Sequence, residues 1–188
     1  AYLGLEGLPK SEGLDLLAGP PPERPIFIEM PRNGVEVTFF GYAVHVGTWR
    51  LIHDVVMVER DRHSGKTVRI EGREATEDLS GRVRMRQFTA HQENGGTITA
   101  TEALYDRARS VIELSGSVIV EAKDGSRARL SGLVWDKTSD SARSVGPVDL
   151  EAKGSTVTAR VAEFEDDFTT IHLSGGVHAE IDRDILDL

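Results

Sequence analysis

Apolar and polar side chains alternate along most of this chain with a period of two. Val35-Glu36-Val37-Thr38-Phe39 alternates, and Phe40 to Val46 continues the pattern with its parity shifted around Gly41. Trp49 to Val58, Thr67 to Ile70, Arg82 to Phe88 and Ala128 to Trp135 are further strand-like runs. Such alternation sets one face of an extended segment against apolar neighbours and the other in water. Between the runs stand turn signals: His63-Ser64-Gly65-Lys66, Glu93-Asn94-Gly95-Gly96, Lys123-Asp124-Gly125, Asp136 to Ser141, and Ala152-Lys153-Gly154-Ser155. The second of these is the strongest tight-turn signal. Turn signals at this density are the mark of an all-β domain, and they predict roughly 13 to 16 short strands. No stretch from 26 to 181 keeps a helical period with caps. Glu102 to Arg109 is the one arguable helix, and it sits between strands as a turn would. Pro147 interrupts the run Val145 to Leu150, which predicts an edge or a bulge there.

The pattern repeats. Residues 98 to 122 and 157 to 181 align with an offset of 59. They share Thr99/Thr158, Ala100/Ala159, Ala103/Ala162, Ile112/Ile171, Leu114/Leu173, Ser115/Ser174, Gly116/Gly175, Val118/Val177 and Glu121/Glu180, with Tyr105 opposite Phe164. Each window reads as a strand, a polar turn and a second alternating strand. Ile112, Leu114, Val118 and Val120 share one parity in the first copy; Ile171, Leu173, Val177, Ala179 and Ile181 do so in the second. Gly116 and Gly175 inside these strands predict a bulge, a bend or a close backbone approach. Leu79-Ser80-Gly81-Arg82-Val83 is a third, partial echo. The chain is therefore read as a series of repeated hairpins.

Residues 1 to 25 break the pattern. They are rich in Gly, Pro and Leu, and Pro20-Pro21-Pro22 excludes helix and central strand. They are expected to form a linker or tail, with residues 26–188 a single β domain. At 188 residues the chain can bury roughly 70% of its unfolded surface without staples. Cysteine is absent, which excludes disulfides, thiol nucleophiles and thiolate metal sites. The net charge of −9 argues against duplex nucleic acid as a partner. Aromatics at 6% give little for stacking single strands. No run is long and apolar enough to form a transmembrane helix. The sequence begins at Ala1, and a segment removed upstream is expected.

The candidate chemistry is sparse. Six histidines (45, 53, 63, 91, 172 and 178) show neither HxH nor HExxH spacing. His172 and His178, read on one strand, would stand about 20 Å apart. No metal and no cofactor is expected. Glu163, Glu165, Asp166 and Asp167 cluster on a predicted turn, where charges are ordinarily solvated, rather than facing across a cleft. The recurrent Ser-Gly pairs lack a nucleophile elbow or phosphate loop. An enzyme is therefore not expected. Arg82, Arg84 and Arg86 share one strand face, read first as solvated edge protection and otherwise as a rim for anionic head groups or an acidic partner.

Several motifs occur in order: Ala103-Leu104-Tyr105-Asp106, Leu114-Ser115-Gly116-Ser117-Val118, Asp124-Gly125, Leu133-Val134-Trp135-Asp136 and Ser144-Val145-Gly146-Pro147-Val148. In that order and spacing they resemble the LptC family of OstA-like lipopolysaccharide-export proteins. The likeness covers residues 95 to 181. It extends loosely over 33 to 90, through Trp49-Arg50-Leu51 and Leu79-Ser80-Gly81. It implies an OstA-like twisted β-jellyroll of two facing antiparallel sheets forming an open trough. It also implies a periplasmic carrier that passes lipopolysaccharide from an inner-membrane ABC transporter complex to an LptA-like bridge protein. The family's N-terminal membrane helix has no counterpart in residues 1–25. The resemblance thus leaves two forms open: a protein tethered by a helix missing upstream, or a soluble bridge.

If two alternating sheets face each other without closing, their inner faces make an apolar trough. Burying one CH₂ contributes about 0.8 kcal/mol, so a dozen-carbon chain gains on the order of 10 kcal/mol before ordering costs. An exposed arginine–phosphate contact adds about 1 kcal/mol or less. Apolar lining should set affinity and rim charge orientation. The expected lining is Tyr105, Ile112, Leu114, Val118, Val120, Trp135, Phe164, Ile171, Leu173 and Val177, and core packing explains the same residues. The last strand, Gly176 to Ile181, lacks Pro and Lys. Its Val177, Ala179 and Ile181 form the expected partner edge, where the resemblance implies docking by β-augmentation and allows head-to-tail self-association. The rivals are a structural β-assembly module without a lipid ligand and a carbohydrate-active β-solenoid enzyme.

Overall fold

The computed structural model describes residues 25–29, 35–46, 49–61 and 64–181, with residues up to 53 described as backbone. Thirteen strands run in sequence order among them: β1 (Pro25–Glu29), β2 (Val35–Val46), β3 (Trp49–Asp61), β4 (Thr67–Glu77), β5 (Arg82–Gln92), β6 (Thr97–Asp106), β7 (Val111–Glu121), β8 (Arg127–Asp136), β9 (Ser141–Ala152), β10 (Ser155–Ala159), β11 (Val161–Glu165), β12 (Thr170–Ser174) and β13 (His178–Glu180). The protein is all-β, as its alternation predicts. The strands pair as one continuous antiparallel meander from β1 to β10, and β13 follows β10. Strands β11 and β12 form a side hairpin, with β11 joined to β9. Within the described residues β1 pairs only with β2, and β13 only with β10, so the ladder stays open and closes no barrel.

Most of the strands are longer than the turn density suggested. Strands β2 to β9 run 10 to 13 residues, because each glycine or kink midway bends a strand instead of ending it. Left-handed residues mark the bend at Asp54 (φ 48°), Gln87 (φ 53°), Gly116 (φ 86°) and Gly146 (φ 84°) on alternate strands β3, β5, β7 and β9. Gly175 (φ 75°) follows β12 in the same phase. The ladder slips by a residue beside Gly116, between Ser115 and Val118, which is a β-bulge. Gly116 has no room for anything larger: an added Cβ would lie 2.5 Å from Thr101 Cβ and Oγ1. Thr101 Oγ1 then accepts from Ser117 N at 2.9 Å, which satisfies a donor the bulge leaves free. One repeat later, Gly146 and Ser131 stand in the same relation, and Ser131 donates to the Val145 carbonyl at 3.2 Å. Pro147 sits beside this bend in an interior strand, so of the two expectations for it, the bulge applies.

The repeat unit is half the 59-residue offset. Turn glycines 65, 95, 125 and 154 recur every 29 or 30 residues, and Tyr105, Trp135 and Phe164 keep the same step. Each unit is one bent hairpin. Residues 128 to 152 are the intervening copy, disguised because Ala142 and Ser144 replace Ile112 and Leu114. Ser144 is buried and accepts from Ala162 N at 2.8 Å, so the polar replacement is matched. Residues 102 to 106, at the start of the one arguable helix, lie in β6, and 107 to 110 form its turn. The parity shift expected at Gly41 is a register shift between Phe40 and Tyr42. The 1–25 linker lies almost entirely outside the described residues.

One face of the sheet carries the core. Trp135, Phe88, Phe164, Met57, Ile70 and Met85 are fully buried there, each contributing roughly 1.5–3 kcal/mol by leaving water. Contacts also join opposite ends of the strands. Lys137, in the β8–β9 turn, reaches Glu59 of β3 at 2.7 Å. Lys66, in the β3–β4 turn, reaches Asp167 in the β11–β12 turn at 2.5 Å. A flat ladder would keep these tips apart, so the sheet folds over its own apolar face along the line of bends.

Candidate ligand cavity and strand edge

A cavity of about 470 Å³ opens where the β5–β6 and β7–β8 turns face the β11–β12 turn. Its apolar wall comes from Ile98, Val120, Leu150, Phe168 and Ile171. The alternation of β6, β7 and β9 directs the first three inward. Leu150 and Ile171 are only partly buried against the core. The polar rim includes Asn94, Lys123, Asp124 and Asp167. Gln92 also lines it, and its buried amide has no hydrogen-bond partner at either Oε1 or Nε2. A hydrocarbon segment carrying one polar group matches this combination chemically, since ligand sites of roughly 300–1,000 Å³ pair apolar walls with a few polar groups.

The β11–β12 turn closes one side of the cavity. Asp166, Asp167 and Phe168 are all left-handed, at φ 53°, 54° and 63°. Such a run is strained for residues other than glycine. Phe168 is buried, with its ring centroid 5.2 Å from Trp135 in a T-shaped contact and 5.2 Å from Phe164. Asn94 Nδ2 donates to the Asp167 carbonyl at 3.0 Å, and Asp167 N donates to Asp140 Oδ2 at 3.1 Å. Burial, then the neighbouring Asp167 carboxyl, pushes Asp140 up to about 6. The hydrogen bond from Asp140, reinforced by Lys66, holds Asp167 below its ordinary value. Hydrogen bonding to Asp167 raises Lys66 in turn.

The expected lining residues divide. Tyr105, Ile112, Leu114, Val118, Val120, Trp135 and Phe164 are buried in the core, and Ile171 and Leu173 pack partly buried against it. Val177 is 52% exposed. Only Val120 and Ile171 of the ten line the cavity. Ile98, Leu150 and Phe168 were missed. Phe168 carried a signal, an aromatic within the acidic turn Glu165-Asp166-Asp167-Phe168-Thr169-Thr170. The acidic cluster also divides: Glu163 and Glu165 lie exposed in β11 rather than on the predicted turn, Asp166 is exposed in the turn, and Asp167 turns toward Lys66.

A groove of about 720 Å³ runs beside β9 and β11, bordered by the exposed Val134, Arg143, Val145, Glu163 and Glu165. Its two glutamates pair with Arg143 at 3.7 Å and with His172 at 3.5 Å. His172 and His178 fall on separate strands, β12 and β13, because Gly175-Gly176 interrupts the run. No metal-binding group of His, Asp and Glu occurs among the described residues. Arg82, Arg84 and Arg86 do share an exposed face, paired with Asp78, Glu102 and Glu74.

At the C-terminal side two outer edges are unpaired within the described residues. Strand β12 pairs only with β11, and β13 only with β10 through Thr156–Glu180, Val157–Ala179 and Thr158–His178. Val177 and Ile181 flank β13 and are 52% and 57% exposed. No described helix is long and apolar enough to cross a membrane. No family model matches the chain, and no curated protein matches it significantly.

Proposed function

We propose that the protein is a lipid-binding carrier module whose end cavity takes hydrocarbon chains and whose C-terminal edge docks a neighbouring β-module. The observation that carries this reading is the apolar cavity of about 470 Å³, together with two strand edges, of β12 and β13, that are unpaired among the described residues. We read the folded-over halves of the sheet as the two walls of an open jellyroll, with the cavity as the mouth of its interior. The lipopolysaccharide-export resemblance supplies the ligand and setting: acyl chains of lipopolysaccharide, a periplasmic site, an inner-membrane ABC transporter as donor and an LptA-like bridge as acceptor. No step of this role needs catalysis. Binding would draw on apolar burial, at about 25 cal/mol per Å² removed from water.

The test is a photo-crosslinking amino acid placed singly at Ile98, Val120 and Ile171, with the exposed Leu79 as control. Lipopolysaccharide adducts at the three cavity positions and none at Leu79 are expected in cells that make it. Adducts at none of the three would reject the carrier reading. A second reading, a structural β-assembly module, is favoured by six expected lining residues, Tyr105, Ile112, Leu114, Val118, Trp135 and Phe164, that lie buried in the core away from the cavity. It predicts edge docking with no lipid adduct.

A further inference from the structure

The β11–β12 hairpin is held differently from the other strands. Strand β11 joins β9 through two residue pairs, Glu163–Arg143 and Phe164–Ala142. Strand β12 joins nothing but β11 within the described residues, and Gly175-Gly176 follows it. The hairpin is thus attached along a short seam, with two left-handed glycines after it. Its tip carries the three consecutive left-handed residues and forms one wall of the cavity. Side-chain contacts hold that tip down: Lys66 to Asp167, Asn94 to the Asp167 carbonyl, and Asp140 to Asp167 N. These reach across 101, 73 and 27 positions of the chain.

We propose that the Asp166–Thr169 turn is a lid on the end cavity, sprung by its left-handed backbone and held shut by Lys66, Asn94 and Asp140. Opening frees the Asp167 amide, withdraws Phe168 from Trp135 and uncovers Ile98, Val120 and Leu150. Few ladder bonds are lost, because so few hold the hairpin. The lid would set how fast a chain enters and leaves, while the apolar wall sets how tightly it is held. As a gate for hydrocarbon, the inference rests on the carrier reading of the cavity.

Two measurements on the full chain test it. The first is amide exchange at Asp167, whose N–H is bonded to Asp140 only while the turn is down. Lys66→Ala should speed that exchange severalfold, up to about fivefold, and Lys66→Arg should restore it. Unchanged exchange in Lys66→Ala overturns the lid. The second uses the apolar fluorophore N-phenyl-1-naphthylamine. The chain has no cysteine, so Lys66→Cys with Asp167→Cys can be tethered by a short bis-maleimide without other labelling. Tethering should slow release of the probe about tenfold relative to the untethered double variant, and Lys66→Ala should speed it. Probe binding that Val120→Trp abolishes, with release rates equal in all variants, overturns the lid and leaves the cavity standing. Binding that Val120→Trp does not touch overturns the cavity reading, and amide exchange then decides the lid alone.

Discussion

Lys137 Nζ lies 2.7 Å from Glu59 Oε2 and 4.1 Å from the centroid of the Trp135 ring. Both charged side chains are almost wholly buried, at 9% and 3% exposure. This pair pins the β8–β9 turn to β3 and so holds the fold-over of the sheet. Removing one partner leaves a buried charge alone. Lys137→Ala and Glu59→Ala should each cost about 3–5 kcal/mol, whereas Lys137→Met with Glu59→Leu should recover most of that. Urea denaturation midpoints of the three variants check this.

Stability should change with pH around the Asp140–Asp167 pair. Asp140 is raised in the folded protein from 3.8 to about 6. The stability it contributes is complete below about 4 and lost as pH rises through about 6. Asp167 is lowered, so its contribution is present above its ordinary value of 3.8 and lost as pH falls below it. The two together place the tightest closure of the turn between those values. Exchange at the Asp167 amide should be slower at pH 5 than at pH 7.5, relative to a neighbouring reference amide. Asp140→Asn should flatten that difference.

Gly116 and Gly125 separate strain from crowding. Both are left-handed, at φ 86° and 88°, but a Cβ at Gly125 meets nothing within 4 Å. Gly125→Ala should cost about 1 kcal/mol, for backbone strain alone. Gly116→Ala should cost about 3 kcal/mol, because the new methyl also collides with Thr101. Thermal unfolding of both variants reads the contrast.

Edge docking should be broken by proline on β13. Successive strand residues present their N–H groups to opposite sides, so His178→Pro and Ala179→Pro together sample both. One of them should weaken capture of a second β-module with little change in the thermal midpoint. Equal capture by wild type and both variants would count against the edge.

The class of fold was legible because alternation and turn glycines are local signals. The apolar parity of Ile112, Leu114, Val118 and Val120 places all four in the core. The parity alone could not say what covers each position. Val177 continues the stripe yet lies exposed, because Gly175-Gly176 interrupts the run and leaves it outside both β12 and β13. The cavity was not legible for the same reason. Its wall joins Ile98 and Val120 to Phe168, residues whose neighbourhood is made by folding the sheet over. Asn94 reads as a turn former, and so it is: its Oδ1 accepts from Gly96 N at 2.8 Å. Its second role, holding Asp167, depends on a segment 73 positions away.

The 29- or 30-residue hairpin step has an evolutionary corollary. An unclosed meander does not need a fixed number of rungs, as a closed barrel does. A gene for such a chain can be lengthened or shortened by whole hairpins without a clash at a seam. What such edits must preserve is the β11–β12 hairpin, whose Phe168 packs against Trp135 and Phe164 of two successive repeats.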